Sequence, residues 1–105
     1  MNHFTNCTVE GFVTDDPAVR ITKTGRKVTT FILAHNQHDQ NIEEPPRVSY
    51  LYIEAWDDME DKVILDIKKG KRVWVTGVLR QDWREDEKGK ISSRIKLVAN
   101  EIRIL

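Results

Sequence analysis

The chain has 105 residues, enough for one domain (residues 1–105) with a thin core, and 39% hydrophobic against 32% charged residues is an ordinary globular balance. Seventeen basic and seventeen acidic residues cancel, so bulk charge marks no particular class of partner. A single cysteine, Cys7, excludes an intrachain disulfide; no apolar run approaches the ~20 residues of a membrane helix, and the start Met-Asn-His-Phe-Thr-Asn lacks a signal-peptide pattern, so a soluble cytoplasmic protein without membrane partners is expected.

The first strand is expected over about Thr5 to Val13, where Cys7, Val9 and Gly11 alternate with Thr8, Glu10 and Phe12. Gly11 inside it points to a bulge or bend of the kind small barrels need at corners. Asp15-Asp16-Pro17 ends or turns the strand, and Thr24-Gly25 marks a further turn. The second strand runs from about Arg26 to Asn36. Val28, Thr30, Ile32 and Ala34 share one side, with Phe31 and Leu33 on the other. Both sides are partly apolar, as expected if one faces the barrel and the other is shared between helix cover, ligand or a second subunit; self-association is expected to cover Phe31 and Leu33 here and Trp74 on the fourth strand. Gln37 to Arg47, with Pro45-Pro46, reads as a long loop.

The third strand, Val48 to Trp56, has two distinct faces. Leu51, Ile53 and Ala55 point one way, while Tyr50, Tyr52, Glu54 and Trp56 point the other. Three rings on one outward face suit base stacking, and a core has no need of the glutamate among them. Asp57-Asp58 can cap a helix over about Met59 to Lys69, in which Met59, Val63, Ile64 and Ile67 form a buried stripe. Lys68 and Lys69 would sit at its negative end, with Gly70 ending it. The fourth strand spans Arg72 to about Gln81, with Val73 and Val75 inward and Trp74 outward. Lys88-Gly89 is a hairpin tip. In the fifth strand, about Ile91 to Leu105, Ile95, Leu97 and Ala99 alternate until Asn100, after which Ile102 and Ile104 take over; this phase change implies a bulge or corner. Three strands, a helix and two strands predict an all-β fold, a five-stranded Greek-key oligonucleotide-binding (OB) barrel with its helix between strands three and four; an unrelated α+β sheet domain is the alternative the same order allows.

Charge is uneven along this order. Residues 36–66 carry a net −7 and residues 67–105 a net +6, so one face can be positive despite a neutral total. The ring candidates for stacking are Tyr50, Tyr52, Trp56, Trp74 and Trp83. The cation candidates for phosphate are Arg20, Lys27, Arg72, Arg80, Arg84, Lys90, Arg94 and Lys96. Each ring has a plainer alternative in packing against a core or a second subunit, and each cation in ordinary solvation. Glu54 opposes phosphate unless a neighbouring cation neutralises it. His35, His38, Asp39, His3 and Cys7 do not share the spacing a zinc site needs. The acidic group Asp57, Asp58, Glu60 and Asp61 could bind a divalent ion, but helix capping and solvation explain it more simply. No nucleophile, triad or phosphate loop is present, so neither an enzyme nor a metal or other cofactor is expected.

Several stretches, in their order and spacing, resemble the bacterial single-stranded DNA-binding protein family. They are Val9-Glu-Gly11, Asp16-Pro-Ala-Val-Arg20, Thr24-Gly25, Phe31-Ile-Leu-Ala34, Val63, Lys69-Gly-Lys-Arg-Val73, Val75-Thr-Gly-Val-Leu79 and the closing run to Leu105. The resemblance implies a homotetramer of barrels that coats single-stranded DNA in replication, repair and recombination and hydrolyses nothing. It places Tyr50 and Trp56 at stacking positions. A further stacking tryptophan of the family falls near His38 or Asp39, where this sequence has no Trp, Tyr or Phe, and another at or next to Trp83, with Arg84 adjacent. The family continues past the barrel into a disordered segment with an acidic tip that recruits replication and repair proteins, whereas this sequence ends at Leu105. A tail-less form would resemble the primosomal replication protein of the same superfamily, a dimeric adaptor for DNA and protein. A purely structural assembly module is the third alternative.

Overall fold

A computed structural model describes residues 3–37, 47–57 and 61–105, with only the backbone at 61 and 62. The strands are β1 (Cys7–Val13), β2 (Ala18–Ile21), β3 (Lys27–Gln37), β4 (Arg47–Trp56), β5 (Arg72–Glu85) and β6 (Ile91–Ile104), with helix α1 (Asp61–Asp66) between β4 and β5. The sheet order is β1-β5-β6-β4-β3-β2, and β1 also pairs with β3. That last pairing closes a ring of five strands, the expected OB barrel. The sixth strand, β2, hangs outside the ring on β3 through a hairpin whose turn contains Thr24-Gly25.

The closure depends on close backbone approach. β1 runs along β5 from Cys7 to Phe12 and crosses to β3 at Phe12 and Val13. Gly11 stands at that crossing, where a Cβ would lie 2.6 Å from the Ala34 carbonyl oxygen. The phase change in the last strand is also real. Thr76 pairs with Glu101 and Gly77 with Ala99, so Asn100 is the extra residue of a bulge. A Cβ on Gly77 would come within 2.0 Å of the Val98 carbonyl oxygen, so the bulge needs a residue without a side chain.

Alternation fills the barrel. Val13, Phe31, Leu33, Ile53, Ala55, Val73, Val75, Leu97, Ala99 and Ile102 are buried from the strands, joined by Ile64 and Ile67 from the helical segment. Phe31 (4% exposed) and Leu33 (0%) belong to this core, so neither needs the subunit cover that two-sided apolarity suggested. On the outward side of β3, Val28 (0% exposed) is covered by its own fold, while Ile32, beside Tyr52, remains exposed.

Two boundaries differ from expectation. The helix ends at Asp66, leaving Lys68 and Lys69 beyond it. The amides that would continue it have other acceptors: Lys69 N–H donates to Asp16 Oδ1 (2.9 Å) and Gly70 N–H to the Val13 carbonyl (2.8 Å). Its start at Met59, and the capping role of Asp58, lie outside the described residues, as do His38, Asp39, Glu60 and the Pro45-Pro46 loop. The second difference is in β5, which continues past Gln81 to Glu85. With β6 it forms a long two-stranded arm, turned at residues 86–90. There Asp86 Oδ1 accepts from the Lys88 and Lys90 amides (2.9 and 2.8 Å). Ile95 continues the inward parity of Leu97 but is 63% exposed, because it lies on the arm, past the core.

Candidate nucleic-acid interface

Register decides which candidates share a surface. On β4, even-numbered residues face outward. Tyr52 pairs with Lys96 and Glu54 with Val98 across the parallel β4–β6 ladder. Arg80 pairs with Lys96, Asp82 with Arg94 and Arg84 with Ser92 across β5–β6. Residues in register point the same way, so Tyr50, Tyr52, Glu54, Trp56, Arg80, Asp82, Arg84, Arg94 and Lys96 lie on one outer face. Arg20 on β2 joins it through Val28, which pairs with both Arg20 and Trp56.

The rings on this face differ in access. Tyr50 is the most open, at 69% exposure. Tyr52 is half-buried, with the Arg94 guanidinium 3.7 Å from its ring centroid. Trp56 is half-buried, with Arg26 4.6 Å from its centroid. Arg26 also donates to Asp57 (3.0 Å), and that hydrogen bond, helped by the guanidinium charge, holds the Asp57 carboxyl below its ordinary value. Guanidinium planes stack on bases as they do on rings, so arginine over aromatic presents a π-surface that a base can join or displace.

Glu54 is only 4% exposed. It accepts from Trp56 Nε1 (2.6 Å) and from Lys96 Nζ (2.7 Å), and Lys96 also reaches Asp82 (3.0 Å). Burial alone would lower the Lys96 pKa, but the hydrogen bonds and charges of Glu54 and Asp82 outweigh it and hold the ammonium above its ordinary value. The carboxylate is therefore neutralised in place, as its position among the rings required.

Other candidates fall elsewhere. Trp83 is 67% exposed and pairs with Ser93. Its odd parity puts it on the opposite face of the arm from Arg84, beside Leu79, Ile91 and Ile95. Trp74 is half-buried on the β1–β5–β6 part of the barrel, with Arg103 5.4 Å from its centroid and Glu10 opposite it on β1. Arg72 is ion-paired with Glu10, but its register through Phe12 and Ala34 to Tyr50 puts it at the β1 margin of the β4 face, where it lines a depression with Phe12, Ala34 and Asn36. Lys27 begins β3 on the parity opposite to Trp56. Lys90 is exposed beside the arm's turn. On the β4 side of the arm, Arg84 lines a polar depression with Asp82, Ser92, Ser93 and Arg94, and among the described residues Arg80 donates only to its neighbour's carbonyl, that of Leu79. His35 Nδ1 donates to the Glu10 carbonyl (2.7 Å), a structural bond between β3 and β1.

Asp82, Arg26 and Arg103 were not singled out from sequence. The Asp82–Arg94 pairing follows from a turn over residues 86–90, which sets Glu85 opposite Ile91; counting outward from Lys88-Gly89 alone would put Ile95 opposite Asp82 instead. Arg26 over Trp56 and Arg103 over Trp74 had no local signal, since each bridges distant strands.

The closed five-strand ring, the helix after its β4 and the ring-bearing outer face define an OB-fold barrel. The model of the single-strand binding protein family matches residues 4–105, and the chain belongs to that family. Relatives include the single-stranded DNA-binding protein of Corynebacterium glutamicum, 31% identical over 93% of this chain, and that of Caldanaerobacter subterraneus, 32% identical over 90%. The chain spans 45% and 63% of those two relatives' own lengths. A solved Plasmodium falciparum SSB complex with ssDNA contains a chain that superposes with a TM-score of 0.85, covering 100% of this chain and 99% of that one. At 24% identity that likeness concerns the fold.

Proposed function

We propose that this protein binds single-stranded DNA without regard to sequence and without catalysis, protecting it during replication, repair and recombination in the cytoplasm. The observation that carries the reading is the outward row Tyr50, Tyr52 and Trp56 on β4, set beside the cations of β5 and β6 on one face. Bases stack on the rings and on the arginines covering them; each stacked base contributes ~1–3 kcal/mol whatever its identity. Phosphates are met by Arg80, Arg84 and Lys90 on the arm and by Arg20 at the other margin. The relatives' names support this ligand. Single-stranded DNA is preferred over RNA on that support alone, since rings and cations do not read the 2′-hydroxyl.

The protein self-associates, most simply as the homotetramer the family resemblance implies. Phe4 (88% exposed), ahead of β1, and Leu79 (42%), Ile91 (64%) and Ile95 (63%), on the arm face turned away from Arg84, are apolar groups that a second copy would cover. Replication and repair proteins are its expected partners. The test is a titration with oligothymidine read by tryptophan fluorescence, alongside the solution mass. Quenching that saturates and weakens with added salt is expected. No quenching and no salt-sensitive complex at micromolar protein would refute the binding, and a monomer at that concentration would refute the assembly.

A further inference from the structure

Glu54 is the one acidic member of the outward β4 row, and its surroundings explain its presence. One of its oxygens accepts the indole N–H of Trp56 at 2.6 Å and the other accepts from Lys96 at 2.7 Å. The carboxylate is 4% exposed, and the Lys96 side chain is 12% exposed. Lys96 also contacts Asp82 at 3.0 Å; Asp82 lies 4.0 Å from Arg94, and Arg94 covers Tyr52. The contacts therefore run from one ring of the row to another through β6 and β5. Two carboxylates and two cations make this group neutral, so it adds little net field at the phosphate backbone.

We propose that Glu54 and Lys96 form a buried brace that orients the Trp56 indole for stacking, and that Lys96 is thereby withdrawn from contact with the nucleic-acid backbone. The torsion that sets an indole's plane is broad and roughly two-fold, so a half-buried tryptophan on an open sheet face is not held by rotamer preference alone. A hydrogen bond from Nε1 to a fixed acceptor removes that freedom, and residue i−2 on the same strand is well placed to supply it. A buried carboxylate needs a counter-charge, and Lys96 supplies it from the neighbouring strand. Glu54 thus acts as a positioning residue, through Trp56. The exposed cations Arg20, Arg80, Arg84 and Lys90, without an acidic partner among the described residues, are left to carry the salt-dependent part of binding.

The inference rests on the proposed DNA binding, but its first test does not. By NMR in the DNA-free protein, the Trp56 indole proton should exchange with solvent at least tenfold more slowly than that of Trp83, which is 67% exposed. Equal exchange would overturn the brace whether or not DNA binds. The second test uses the double variant Glu54→Leu/Lys96→Leu, which removes the pair without stranding a buried charge, since Asp82 is part-exposed and keeps Arg94 nearby. Oligothymidine affinity should fall about 3- to 10-fold at every salt concentration, with the slope of log K against log salt unchanged. A slope reduced by about 0.7, the value of one lost phosphate contact on a single strand, would show that Lys96 touches the backbone and overturn the proposal. Unchanged affinity would overturn it too. Glu54→Gln keeps an acceptor for the indole and should retain slow exchange and near wild-type affinity. A wild-type protein with a protected indole and no DNA complex would refute the proposed function and leave the brace standing.

Discussion

Replacing Tyr50 by alanine separates the ring platform from the fold. Tyr50 is 69% exposed and contributes no side chain to the core, so stability should stay within about 0.5 kcal/mol of wild type. If one base stacks on it, the loss is ~1–3 kcal/mol, a weakening of about 5- to 140-fold at 1.4 kcal/mol per tenfold. Tyr50→Phe keeps the ring and should bind nearly as wild type. The comparison that makes this sharp is Trp83→Ala. Trp83 is as open as Tyr50 but lies on the other face of the arm, across the β5–β6 ribbon from Arg84. A strand of about 8 nucleotides, within the ~4–16 that one such barrel accommodates, should lie along the β4 face alone. Fluorescence anisotropy of a labelled oligothymidine of that length should therefore show the full Tyr50→Ala loss and almost none for Trp83→Ala. Strands long enough to pass around the arm should be sensitive to both. If short strands ignore Tyr50 and depend on Trp83, the DNA runs along the opposite face and the site is misplaced.

Four further outcomes follow from the same geometry. Arg84→Gln should lower the slope of log K against log salt by about 0.7, as loss of one single-strand phosphate contact requires, with the melting temperature unchanged; an unchanged slope would remove Arg84 from the interface. Gly77→Ala should destabilise the barrel by about 3 kcal/mol or more in denaturant melts, beyond ordinary overpacking, because its Cβ would meet the Val98 and Ala99 backbone and not a movable side chain. Ile53→Ala, at 0% exposure in the middle of β4, should cost ~2–5 kcal/mol of stability and leave oligothymidine affinity intact wherever the protein stays folded. In a variant whose sole tryptophan is Trp56, fluorescence of the DNA-free protein should be flat between about pH 5 and pH 9. Asp57 has a lowered value, so its bond to Arg26 is present above the ordinary carboxylate range and lost as pH falls through the folded value. Lys96 has a raised value, so its bridge to Glu54 is present below the ordinary lysine range and lost as pH rises through the folded value. A transition near pH 7 would contradict both.

Sequence by itself determined the alternation of β4 and so its ring-bearing face, the phase change near Asn100 and the turns at Thr24-Gly25 and Lys88-Gly89, and, joined to the family resemblance, the barrel. These are local signals: side-chain parity is set by the backbone repeat, and a phase change within one strand has few structural solutions. Tertiary structure alone decided how that face is furnished. Lys96 and Arg94 have the same parity and adjacent positions, yet one is buried between two carboxylates and the other lies over Tyr52. Trp83 carries the same kind of ring as Trp56 but lies on the far side of an arm whose length was not apparent. Phe31 and Leu33 looked like interface residues and are core. In each case the outcome depends on which distant strand comes alongside, and charge, burial and access at a residue are properties of that neighbour as much as of the residue itself.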